Sequence, residues 1–147
     1  MLPNFVSAEL RRFVKMRAGN NCEYCQALGS FSFHAFPVEH ILPISKGGSG
    51  DDSNLANACQ FCNGSQFDKI EALDPLTGMI VPLFNPRTQS WNDHFVWSED
   101  FTVVIGVSPT GRATVNCLKM NREKLSTYGQ HCGILAFILR NSMIQIH

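Results

Sequence analysis

Apolar positions near the start of the chain step by three and four. Val6, Leu10, Phe13 and Val14 share that period and Arg17 continues it, which predicts a helix with Ser7 as N-cap and Glu9 in its first turn. Gly19-Asn20-Asn21 supplies the stop. Arg11, Arg12 and Lys15 lie opposite the apolar stripe, as a solvated face or as one that contacts phosphate. Further along, the stretch 31–44 is rich in strand formers and carries Phe31, Phe33 and Val38. Ser45 to Asp52 has the composition of a loop, Leu55 to Ala58 reads as a short returning strand, and Cys62 to Leu73 as a helix. The expected order is strand, glycine-rich loop, strand, helix.

From Asp74 the texture changes. Asp74-Pro75-Leu76-Thr77-Gly78 is a turn, Met79 to Phe84 is strand-like, Asn85-Pro86-Arg87 turns again, and Phe101 to Val107 is a further strand candidate. Asn121 is placed to cap a last helix whose apolar residues Leu125, Tyr128, Cys132, Leu135 and Leu139 step by three and four. Gly129 and Gly133 weaken it by about 1 kcal/mol each relative to alanine. No internal repeat or low-complexity tract is visible.

Composition narrows the class. A chain of 147 residues, 44% hydrophobic and 16% charged, is expected to form one compact domain over 1–147 rather than a disordered segment. Formal net charge is zero, so any polyanionic partner must be met by local positive charge. The first residues show no basic segment followed by an apolar one, which predicts a reduced, cytoplasmic setting for the six cysteines. The longest apolar run near the end, residues 134–139, is far short of a membrane span.

The cysteines carry the strongest signal. Cys22-Glu23-Tyr24-Cys25 and Cys59-Gln60-Phe61-Cys62 are two CxxC knuckles flanking a single strand–loop–strand unit. Four thiolates so spaced can close a tetrahedral zinc site with no position left for water, a structural role. The rival is a redox dithiol, which predicts thiol–disulfide exchange and no bound zinc. Cys117 and Cys132 lack the spacing and read as core thiols.

Between the knuckles lie Val38-Glu39-His40-Ile41-Leu42-Pro43-Ile44-Ser45-Lys46-Gly47-Gly48 and Asp52-Ser53-Asn54-Leu55, and Asn63 follows the second knuckle directly. Together these motifs resemble the HNH nuclease family, with its ββα-metal core, over about residues 20–72. Residues 77–121 are also similar to a C-terminal extension of some bacterial HNH proteins, on the landmarks 81–87, Trp91, His94-Phe95, Trp97 and 111–115. The resemblance implies an α+β protein, with the extension filling about residues 73–147. It implies His40 as the general base, Glu39 and Asn63 as ligands of a catalytic Mg²⁺ or Mn²⁺, and Asn54 as the group bonding across the loop to hold the histidine strand. The implied reaction cuts a phosphodiester of DNA, or RNA, to leave a 5′-phosphate and a 3′-hydroxyl. Glu39 stands where the family more commonly has Asp or His, and Lys69 lies slightly further from Asn63 than usual.

Those residue types suit that chemistry. Hydrolysis of an anionic diester needs a deprotonated water and a cation against the growing charge. Imidazole, with a reference pKa of about 6.5, is neutral and basic near pH 7. Adjacent strand residues face opposite ways, so a bulge or strand end is expected where Glu39 and His40 serve one phosphate. His34 is expected as a strand residue and His94 as part of an aromatic cluster with Trp91 and Trp97; Arg87 and Arg112 are candidate phosphate contacts. The alternative from another class is a zinc-stabilised nucleic-acid- or protein-binding module without catalysis. Oligomeric state is open, although double-strand cutting from one site calls for a dimer or two successive nicks.

Overall fold

The computed structural model describes residues 5–122. The expected last helix, with Leu125 to Leu139 and Cys132, lies outside the described residues. Helix α1 (Ala8–Arg17) starts where Ser7 Oγ accepts the Leu10 N–H at 3.1 Å, a cap contributing about 1 kcal/mol. It stops where Gly19 and Asn20 take positive φ. Val14 and Val6 are buried against Leu55, with Leu10 and Val38 packed beside them, while Phe13 stays exposed under the Arg17 guanidinium.

Strand β1 (Val38–His40) pairs antiparallel with β2 (Leu55–Asn57) in the register Val38↔Asn57, Glu39↔Ala56, His40↔Leu55. The strand expected across 31–44 is therefore only three residues long. Gly29–Phe31 is a 3₁₀ turn, and Phe31 and Phe33 are exposed. Pro37 restricts the residue before it and offers no N–H to a ladder; its carbonyl instead accepts Ala58 N–H at 3.1 Å. Lys15 Nζ donates to the Phe36 carbonyl and, at 3.3 Å, to Asn57 Oδ1, so this lysine ties α1 to the hairpin. Arg17 donates to the carbonyls of Asp52 and Leu55 at 3.0 and 2.8 Å and holds the far end of the loop.

Helix α2 (Gln60–Gln66) is shorter than the expected 62–73. Gly64 and Ser65 are weak helix formers, and Phe67 turns the chain at φ 49°. The residues beyond form β3 (Glu71–Leu73), which pairs with β4 (Ile80–Pro82) around the Asp74 turn. Next come α3 (Trp91–His94), β5 (Phe95–Trp97), β6 (Val104–Gly106) antiparallel to β5, and α4 (Pro109–Cys117). The expected strand at 101–107 begins late because Phe101 sits in the β5–β6 turn at φ 58°. α4 was not anticipated. Its cap is Ser108, accepting the Gly111 N–H at 2.9 Å, followed by Pro109 at the first turn. A Cβ on Gly111 would lie 2.0 Å from the His94 carbonyl oxygen, so glycine lets α4 close on α3.

One core joins the parts. Tyr24 and the knuckle cysteines pack with Phe36, Phe84, Phe95, Val104, Leu118 and Met120. The extension closes over the first knuckle: Trp91 Nε1 donates to the Tyr24 carbonyl at 2.7 Å and Arg87 pairs with Glu23. No helix among the described residues is long and apolar enough to cross a membrane.

Candidate active site

The four cysteines meet. Cys22, Cys25, Cys59 and Cys62 are buried, and their sulfurs all lie within 4.8 Å of one another. Cys25 Sγ and Cys59 Sγ are 3.7 Å apart. A tetrahedron with Zn–S bonds of about 2.3 Å has sulfur–sulfur edges of about 3.8 Å, so the cluster is compatible with structural zinc. The neighbouring thiols and the Cys62 N–H turn toward Cys59 and hold it far below the usual thiol range. Burial pushes Cys22 up, and sharing with the other cysteines pushes Cys62 up. Arg122 Nη2 reaches Cys59 Sγ at 3.4 Å and brings positive charge to the cluster.

The second knuckle starts α2, since Cys59 Sγ accepts the Cys62 N–H at 3.4 Å. Asn63 therefore sits in the first turn, half-buried, with Gln66 three residues on along the same helix face. The hairpin between the knuckles carries Glu39 and His40. Its register runs unbroken through both, so of the two expected irregularities the bulge is absent and the strand end is present, with His40 the last residue of β1. Val38 and His40 face α1: Val38 joins the Val6–Val14–Leu55 cluster, and the Arg11 guanidinium lies near enough to His40 to act on its charge. Glu39 faces the other way, toward Tyr24 and Cys59. The structure does not bring Glu39 and His40 onto one face; strand alternation prevails.

Each group has a perturbed environment. His40 is held below the ordinary histidine value, first by burial and then by Arg11. Glu39 is 7% exposed and pushed up to about 7 by burial, with the Tyr24 hydroxyl opposing that rise and Cys59 adding to it. Tyr24 Oη, Glu39 Oε1, His40 Nε2 and Gln66 Oε1 are buried and make no hydrogen bond of good geometry among the described residues, although the Tyr24 hydroxyl lies near enough to Glu39 and Gln66 to act on them. Most buried polar atoms are paired, so four orphans on one unit mark a place built for something besides packing. An orphaned carboxylate oxygen is a donor suited to a hard divalent cation.

Asn54 is spent on its own loop. Its Oδ1 accepts Leu42 N–H at 2.8 Å, and its Nδ2 donates to the carbonyls of Leu42 and Ser49 at 3.0 and 2.8 Å. The backbone adds Ile41 N–H to the Asn54 carbonyl at 2.8 Å. These bonds fix the chain just after His40. Gly48 is required at that crossing, because a Cβ there would lie 1.7 Å from the Leu42 carbonyl oxygen.

Two expected phosphate contacts are otherwise engaged. Arg87 pairs with Glu23, and Arg112 grips the buried Asp74 carboxylate with two bonds of 2.9 Å. His94 is part of an aromatic cluster, but it packs on Phe84 and Phe95 and meets the expected Trp91 and Trp97 only through Phe95; its Nδ1 is 2.6 Å from Ser108 Oγ. Sequence reasoning missed Tyr24, Gln66 and Arg11 as neighbours of the candidate pair. The available signals were Tyr24 inside a knuckle and Gln66 one helical turn beyond Asn63. A search of curated proteins and one of solved structures each returned no match. Residues 22–69, the stretch from the first knuckle to Lys69 with the hairpin and α2 inside it, match the family model for HNH endonuclease.

Proposed function

We propose that the protein is a divalent-metal-dependent endonuclease that hydrolyses phosphodiester bonds of DNA. The observation that carries this reading is the β1 end, where a histidine held below its ordinary pKa stands next to a buried carboxylate with an unpaired oxygen, inside the stretch that matches the HNH endonuclease model. Among the described residues the β1–β2 sheet has two strands, and none of them lies beside the outer edge of β1. A sugar-phosphate strand crossing that edge is met by His40 from one face and by Glu39 from the other.

His40, neutral at pH 7, takes a proton from water as that water attacks phosphorus. Its burial and the Arg11 charge both favour the neutral form. Glu39 and Asn63 would hold a divalent cation, which would supply charge neutralisation at the scissile phosphate and the departing 3′ oxygen. Asn54 keeps the turn after His40 fixed, so the imidazole does not swing away during attack. Arg11 and Arg12, exposed on α1, offer the local positive charge that a neutral chain needs to approach a polyanion.

The test is plasmid nicking with Mg²⁺, Mn²⁺ or EDTA, run beside His40→Ala. Metal-dependent nicking lost in the variant supports the reading; equal rates for both proteins sink it. The opposite facing of Glu39 and His40 favours one second reading, a zinc-stabilised module that retains DNA without cutting it, and that outcome appears as binding with no nicked product.

A further inference from the structure

A cleft of about 290 Å³ opens beside the chain that follows His40, walled by Ile41, Leu42 and Leu83 and floored by polar side chains of the extension and of α2. Its lining contains no charged side chain, which disfavours a phosphate or a cation as its occupant. Three carboxamides line it instead: Gln66, Asn85 and Gln89. The local network fixes how two of them point. Asn85 Oδ1 accepts the Arg87 N–H at 2.9 Å and Gln89 Oε1 accepts the Asn85 N–H at 2.9 Å. Their amide NH₂ ends are thereby left as the free donors, with no partner among the described residues. Gln66 is 3% exposed, its amide lies beside the Tyr24 hydroxyl, and its Oε1 is a buried acceptor that makes no hydrogen bond among the described residues.

A small neutral slot with apolar walls, uncommitted amide donors and a buried acceptor has the chemistry of a site for a planar heteroaromatic edge. We propose that this cleft takes one unstacked nucleobase of the cleaved strand, close to the scissile phosphate, and reads its edge through Gln66, Asn85 and Gln89. The inference rests on the DNA-cleaving reading above and deepens it. Position supports it: Ile41 and Leu42 come directly after His40, so a strand seated at the β1 edge carries a neighbouring base past the cleft mouth. A base reaches such a slot only by leaving its stack, and its hydrogen-bonding edge then becomes readable by carboxamides.

Two measurements test this. Nick sites are mapped on a library randomised around the cut; one flanking position should show a preference of about tenfold for one base, the scale of a good amide–base contact. Gln66→Met, which keeps the shape and removes the acceptor, and separately Gln89→Met should bring that ratio toward one, with zinc content and melting used to confirm folding. Separately, 2-aminopurine is placed at each flanking position of an oligonucleotide bound to His40→Ala protein, where its fluorescence should rise at the preferred position and fall back when Gln66→Met is added. Nicking with no preference at any position, and 2-aminopurine dark throughout, overturns the base site while leaving the nuclease standing. Absence of metal-dependent nicking overturns both.

Discussion

The knuckle unit and the extension are built from the same poor material and solve the problem differently. Each relies on three-residue strands in two-stranded hairpins, which do not stand alone in water. In the extension the buried polar groups find partners, Arg87 Nε excepted. Asp74 accepts from Arg112, Thr77 and the Leu76 N–H. Thr114 joins Phe84 to Thr110, and Asn121 both accepts from and donates to Val104. In the knuckle unit Tyr24, Glu39 and Gln66 on one side of the hairpin and His40 on the other keep unpaired buried atoms. Open atoms are thus concentrated in the knuckle unit, four against one in the extension, which is where a group that arrives later would find partners.

That contrast breaks most easily at the sulfurs. If an ion replaces hydrogen-bond pairing in the knuckle unit, a strong chelator or Cys59→Ser should remove folding free energy on the order of 10 kcal/mol. This matches or exceeds the whole stability of many domains, so the hairpin and α2 should unfold. Circular dichroism melting beside zinc stoichiometry reads the result, and a metal-free chain that melts like wild type would show that both regions are ordinary core.

The next largest effect separates site from scaffold within the knuckle unit. His40→Ala should lower cleavage by about 10²–10⁴-fold, the usual contribution of a positioned base. Zinc content and melting should stay at wild-type values. A variant that loses stability and activity together would move His40 into the scaffold.

Asp74→Asn probes the other region and should do the reverse. Arg112 first, then Thr77 and the Leu76 N–H, hold the Asp74 carboxyl well below the ordinary carboxylate range. A lowered pKa adds stability that is present above the unfolded value of about 3.9 and fades as pH falls toward the folded one. At pH 7 the variant should melt lower than wild type and still nick. Below about pH 4 the difference between the two should narrow. Acid also strips thiolate ligands, so the difference between the proteins, not either melt alone, is the measurement. A gap unchanged with pH would mean the ion pair contributes nothing to the extension.

The two regions also differed in how far the sequence could be read. The cysteine spacing placed four sulfurs correctly because CxxC geometry is local, and the hairpin followed from strand formers on both sides of a glycine loop. α1 was legible because cap, stripe and stop agree along one segment. The end of α2 was not, since Phe67 turns by a positive φ that no local composition announces. α4 escaped because Gly111 and Thr114 read as poor helix formers, while Gly111 is selected by the close approach of His94. The site was legible as a set of residues and illegible as an arrangement. Nothing in Glu39-His40 says whether strand alternation or a bulge wins, and Arg87 and Arg112 cannot be told from phosphate contacts until Glu23 and Asp74 are seen beside them.

The smallest expected effect is the most discriminating. A base works only when neutral, so the single-turnover rate should rise with pH through the folded pKa of His40. Burial and Arg11 lower that pKa, which puts the limb below about 6.5. Glu39 complicates the profile, because burial lifts it to about 7 and it must be ionised to hold a cation. The two limbs respond to different levers. Raising Mg²⁺ competes with the proton on Glu39 and moves its limb to lower pH, while leaving a histidine limb in place. Arg11→Gln should move the histidine limb upward by less than burial has moved it down, and added salt should shrink the difference because the guanidinium is exposed. A profile that shifts with Mg²⁺ and ignores Arg11→Gln would keep the carboxylate at the metal and assign the proton transfer to a group other than His40.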